Sequence, residues 1–241
     1  MTPGPGGAPQ EGHRTGVTAF HPAFDDLPPE IAVFPLSGAL LLPQARLPLN
    51  IFEPRYLAMA QDSLASGRMF GMIQPEPGAP AGAAGPGLFR TGCLGRMSSF
   101  AETEDGRLLI TLTGVARFRV AEELPLREGY RRVRADYAPF RADLDLSERP
   151  SALDRAALLG ALRPFFQARG IEANWDAIEQ TSDALLVLTL AMVCPFEPRE
   201  KQALLEAATP EDRAALLVAL LEMGARSGLP SDPAAGSGRP S

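Results

Sequence analysis

Lysine is almost missing from this chain. Of its 23 basic residues all but Lys201 are arginine. A phosphate-wrapping P-loop needs a Gly-Lys-Ser/Thr step, and Lys201 lies between Glu200 and Gln202, which excludes ATP hydrolysis of that type. Schiff-base chemistry or a Ser-Lys dyad would have to recruit the same residue from a helical pattern among charged neighbours. Histidine is as scarce: His13 and His21 both lie in a Pro/Gly-rich leader, where a catalytic triad could not be held rigid. Cys93 and Cys194 are too few for a disulfide framework, and with the two histidines they show no metal-ligand spacing. No catalytic residue, cofactor or metal site is expected. Long apolar runs are absent too. The longest, Ala184–Cys194, is too short to span a bilayer, and no secretory signal is read at the start. The expected setting is cytoplasmic, with both thiols reduced. Basic excess is also lacking, since the net charge is −6, which argues against nucleic acid and acidic membranes as partners.

What is present is enough for a sizeable core: 45% hydrophobic residues in 241, with 22% charged. Residues 1–28 and 226–241 are rich in Gly, Pro and Ala, and are expected to be a disordered leader and tail. Residues 29–148 read as a β-rich subdomain and 149–225 as a helical one. Strands are expected at 31–36, 47–52, 69–74, 89–100, 107–113, 116–123 and 130–137, with a tight turn at Glu104-Asp105-Gly106. In ARFRV, Ala116, Phe118 and Val120 share one face and Arg117 and Arg119 the other. One helix interrupts the strands, from Pro54 to a stop at Gly67. Pro75–Gly87 reads as a mobile surface loop. Helices are expected at 151–168 (starting at Ser151), 174–193 with a break, 198–207 and 210–224, forming a small bundle.

The string from Phe34 to Ile73 carries Phe34-Pro35-Leu36, Leu40–Pro43, Leu47-Pro48-Leu49, Ile51-Phe52-Glu53-Pro54-Arg55-Tyr56 and Phe70-Gly71-Met72-Ile73. Further on stand Thr91-Gly92-Cys93-Leu94-Gly95, then Asp105-Gly106-Arg107, then Gly114-Val115-Ala116-Arg117-Phe118, and finally Glu200–Glu206 with Arg213. In this order they resemble the substrate-binding domain that heads the Lon family of ATP-dependent proteases. The resemblance covers about 31–224. It implies an α+β fold: a PUA-like β-barrel-type subdomain with one inserted helix, followed by an α-helical bundle. It also implies a non-catalytic module, standing without ATPase or peptidase, that binds unfolded or degron-bearing polypeptides. Such a module would serve as a proteolysis adaptor or quality-control factor, with a full-length ATP-dependent protease as a candidate partner. The alternative is RNA binding through the PUA-like face.

The motif residues (Phe34, Pro35, Leu36, Phe52, Glu53, Pro54, Arg55, Tyr56, Gly71, Gly92, Gly106, Gly114, Arg117 and Phe118) are expected to be structural. Glu53 should accept backbone N–H bonds at the helix start, and Phe52 and Tyr56 should lie in the core. Arg117, Arg119, Arg131, Arg132 and Arg134 are expected on a solvated strand face, or else as a basic patch for RNA or acidic peptides. Met59, Met69, Met72 and Met97 either fill the core or line an adaptable peptide groove. Trp175 is expected to pack between helices, and both cysteines to be buried. A peptide would add to a strand edge or lie in an apolar groove between the two subdomains.

Overall fold

The computed structural model describes residues 22–146 and 153–227. Among these residues there are six strands: β1 (Glu30–Pro35), β2 (Arg46–Ile51), β3 (Met69–Ile73), β4 (Thr91–Glu102), β5 (Leu108–Arg127) and β6 (Tyr130–Asp136). They form one sheet in the order β2-β5-β4-β3-β1-β6, and β6 pairs back onto β5. The sheet therefore closes on itself, and β2 is left as a flap hanging on the first part of β5. Only β1 and β3 run parallel; the other pairs are antiparallel. Two separate strands were expected over 107–123, yet β5 is continuous. The pairing shifts register between Leu94 and Gly95, opposite Gly114 and Ala116, so the glycine marks a bulge rather than an end.

The closed part encloses one of two buried clusters. Ile31, Val33, Leu94, Ala116, Val120 and Val133 surround Phe118, which is fully buried. Gly71 and Gly92 have no side chain because there is no space for one: a Cβ on either would lie 2.7 or 2.5 Å from the Phe118 ring. The second cluster lies on the outer face of the sheet. It joins Phe34, Met59, Phe70, Met72 and Met97 to Leu158, Phe165, Leu190, Leu204 and Leu217 of the helices. These methionines fill the core and line no open groove. Cys93 and Cys194 are buried as expected; burial raises both thiol pKa values, that of Cys194 to about 12, and keeps them protonated.

Local signals explain the helices: α1 (Pro54–Ala65), α2 (Arg155–Arg169), α3 (Trp175–Gln180), α4 (Asp183–Val193), α5 (Pro198–Glu206) and α6 (Pro210–Ser227). Proline opens α1, α5 and α6, where its fixed φ suits the first turn and no N–H is missed. The Asp154 and Asn174 side chains accept from Ala157 N and Ala177 N, capping α2 and α3. Asp154 replaces the expected starter Ser151, which lies outside the described residues, as does the expected boundary at 148/149. The break anticipated within 174–193 falls at Thr181 and Ser182. Trp175 packs on Phe166, with ring centroids 6.0 Å apart.

Two Pro/Gly-rich stretches are more ordered than composition suggests. Of the supposed leader, residues 22–28 are built into the fold, with a 3-10 turn at Phe24–Asp26 and a buried Leu27; residues 1–21 lie outside the description. At the other end Arg226 and Ser227 complete α6. The Pro75–Gly87 segment leaves and rejoins the sheet through a Pro75–Leu88 bridge. Arg131 Nη1 donates to Pro86 O at 2.6 Å, and Arg199 Nη2 donates to Pro77 O at 3.1 Å. It is a fastened excursion.

Candidate functional site on the free face of β2, β5 and β4

The motif residues divide into three places. Phe34, at the end of β1, stacks on Tyr56 with centroids 4.2 Å apart; Pro35 follows, and Leu36 N bonds to Ile73 O at 3.0 Å. Burial raises the Tyr56 pKa. Gly106 turns the hairpin between β4 and β5 with φ +78°, a backbone angle that favours glycine. Glu53 precedes Pro54 but makes no side-chain bond to the helix N–H groups, contrary to expectation. Its carboxylate turns instead to the Arg55 guanidinium at 2.9 Å, and Arg55 lies over the Tyr56 ring.

Phe52 is the clearest correction. It was expected in the core and is 61% exposed. Ile51 takes the buried position at the end of β2, and the two-residue period of a strand turns the next side chain to the opposite face. Phe52→Ala should therefore change stability by less than about 1 kcal/mol in urea unfolding, against the 3–5 kcal/mol of a buried phenylalanine.

Arg117 is the second correction. It was expected on a solvated face and is buried, because the 3-10 turn Ala138–Leu144 and the end of α5 close over it. Its guanidinium grips Asp143 with two bonds of 2.8 Å and donates to Leu205 O and Ala207 O at 3.1 and 2.6 Å. Arg213 Nε donates to Leu204 O at 2.9 Å, and burial lowers its pKa to about 10. Gln202 Nε2 reaches Thr91 O at 3.0 Å, and Gln74 Nε2 reaches Pro198 O at 3.1 Å. The sole lysine belongs to the same seam: Lys201 Nζ donates to Gly38 O at 2.7 Å and Met192 O at 3.1 Å, and burial lowers its pKa. These paired polar groups occupy the junction where an apolar groove was imagined between sheet and helices. Arg131 is also buried, paired with Glu123 at 2.6 Å. Arg132 and Arg134 meet Glu30, and Arg134 meets Glu122 as well. The β6 arginines are thus neutralised at home.

The open surface is elsewhere. In β5, Leu108, Ile110 and Leu112 are buried, whereas Leu109 is 47% exposed and Thr111 and Thr113 are half-buried. Strand register places Asn50, Leu109 and Ala101 in one cross-strand row. Pro48, Thr111 and Ser99 form the next, and Arg46, Thr113 and Arg96 the third. The first two rows carry no charge and line a shallow surface depression. Phe52 extends the face at one end, with Arg107 6.0 Å from its ring; Phe100, 49% exposed, pairs with buried Ile110 and so projects from the opposite face. β2 is the terminal strand of this sheet among the described residues, so one side of it has no strand partner. Pro48 removes a donor from that edge, which weakens it as a template for another strand. The face suits contact through side chains. Nothing in local sequence signals it, because β2, far from the β4–β5 hairpin in the chain, is needed to complete it.

Comparison with known proteins fits this architecture. The ATP-dependent protease La (LON) substrate-binding domain matches residues 30–223. The Lon protease of Desulfosudis oleivorans is 28% identical over 96 residues, 39% of this chain and 12% of that protein, so the chain spans a small part of that relative. A Lon N-terminal domain protein from Xanthomonas campestris shares the fold with a TM-score of 0.55 at 24% identity, over 79% of this chain and 97% of that one. The N-terminal domain of Mycobacterium avium complex Lon protease does so at 0.53 and 14%, over 80% and 97%. Among the described residues no helix is long and apolar enough to cross a membrane. The fold is mixed α and β, and the match runs from the first strand to the last helix: the chain belongs to the LON substrate-binding domain family.

Proposed function

We propose that this protein is a non-catalytic module that holds unfolded or degron-bearing polypeptide on the free face of β2, β5 and β4. The carrying observation is the uncharged double row with exposed Leu109 in it and exposed Phe52 at its end, in a member of a substrate-binding family. Large exposed apolar side chains gathered on one face mark interaction sites in soluble proteins. The lone lysine, held by two carbonyls, supports a role without covalent chemistry. In this reading the protein is a proteolysis adaptor or quality-control factor in the cytoplasm, and a full-length ATP-dependent protease is its partner. A barrel of the PUA-like kind raises RNA as a second ligand, and the paired arginines of β6 weigh against it.

A single small face that must order an extended ligand gives affinities on the order of micromolar or weaker. Leu109→Asp and Phe52→Asp should each weaken capture of a labelled denatured protein about tenfold, because a carboxylate there must be desolvated. Melting temperature should stay unchanged, since both side chains are exposed. Unaltered binding in both variants would remove this face from the reading. Tight binding of single-stranded RNA with a steep salt slope, and none of polypeptide, would replace it with the RNA reading.

A further inference from the structure

We infer that this face sorts its ligands by charge, taking extended apolar segments that carry Asp or Glu side chains beside them, with the acidic group at the Arg46 end. The inference rests on the reading above and adds the substrate class. The chain has 29 acidic residues against 23 basic ones, yet the three cross-strand rows contain Arg46 and Arg96 and no carboxylate. On β6 the arginines are matched by acids: Arg131 by Glu123, Arg132 by Glu30, Arg134 by Glu30 and Glu122. At the Phe52 end Arg107 is matched by Asp105 at 2.8 Å. Arg46 is exposed, and no ion pair to it is found among the described residues.

The face is therefore asymmetric: an apolar end at Phe52, a neutral middle, and a cationic end at Arg46. Successive rows are two residues apart, roughly 7 Å along the strand. An apolar stretch of three or four residues lying over the two neutral rows would bring the next side chain to Arg46. Covering the floor excludes water, which strengthens attraction to a carboxylate there and repulsion of a cation. A segment rich in lysine or arginine meets only like charge.

The test uses the full chain and three fluorescent peptides with one apolar, threonine-containing middle. Both termini are blocked, and the flanks are acidic, neutral or basic. At low salt the acidic peptide should bind roughly fivefold tighter than the neutral one, the scale of one partly exposed ion pair. The basic peptide should bind weakest, and moderate salt should compress the order. R46E should abolish or reverse the order, read as the ratio of acidic to basic peptide affinity, while the protein keeps its melting temperature. Equal affinity for all three peptides, or an order that survives R46E, overturns the inference. So does binding that appears only with a free C-terminus, because the carboxylate would then be terminal. Failure of charge sorting alongside Leu109-dependent capture of denatured protein defeats this inference alone. Failure of both defeats the function it rests on.

Discussion

Arg117→Ala should cost about 3–5 kcal/mol of stability, the expected penalty for removing one partner of a buried ion pair. The side chains of Arg117 and Asp143 are only 7% and 9% exposed, so the carboxylate left behind can recover little hydration. The same substitution strips donors from Leu205 O and Ala207 O at the end of α5, and buried acceptors left unpaired add to the loss. Arg117 also lies over the Phe140 ring, 4.7 Å from its centroid, so packing is lost with charge. Arg117→Lys should fall between wild type and alanine: it keeps the charge but cannot make the forked pair. Removing both partners together, Arg117→Met with Asp143→Leu, should cost less than the sum of the single changes, since no uncompensated charge remains. Urea unfolding of wild type, Arg117→Met, Asp143→Leu and the double variant gives the coupling energy directly. A loss under about 1 kcal/mol for Arg117→Ala would mean that this seam does not fasten β5 to the helices.

The same residue shows how far the sequence can be read. Alternation in Ala116–Val120 correctly places Ala116, Phe118 and Val120 inside, because a strand's period is fixed by its own backbone. It says nothing of what lies over the other face. Arg117 was therefore assigned to water, although the Ala138–Leu144 turn and, some ninety residues later, the end of α5 cover it. Phe52 failed in the opposite direction: its hydrophobicity argued for burial, but Ile51 occupies the only inward position there. Helix starts were legible wherever proline opened the first turn, as at Pro54, Pro198 and Pro210, since that preference is local. The candidate binding face was not legible at all. It exists only through the registers that bring Pro48, Ser99 and Thr111, or Asn50, Ala101 and Leu109, side by side. The β4–β5 register follows from a local turn and its bulges, whereas the β2–β5 register joins segments far apart in the chain.

Gly114→Ala should destabilise the protein by more than about 3 kcal/mol, above the ordinary range for one added methyl in a packed site. A Cβ at this position would lie 2.0 Å from Leu42 O, 2.8 Å from Leu42 C and 3.1 Å from Pro43 Cα. All three atoms are backbone, so no side-chain rotation can relieve the clash. The segment cannot easily retreat either. Gly114 N donates to Ala45 O and Gln44 N donates to Gly114 O, both at 2.9 Å, tying Leu42–Ala45 to β5. Leu40, Leu41 and Leu42 are buried in the outer cluster, and moving their backbone would open cavities beneath it. Gly160 provides the control. It lies within α2, and a Cβ there would meet nothing within 4 Å. Gly160→Ala should instead raise stability by roughly 0.5–1 kcal/mol through helix propensity alone. Both variants add the same methyl group, so thermal and urea unfolding compare space against backbone entropy. A Gly114→Ala protein within about 1 kcal/mol of wild type would mean that the Leu40–Ala45 segment does not lie against β5, and the bulge opposite Gly95 would need another cause.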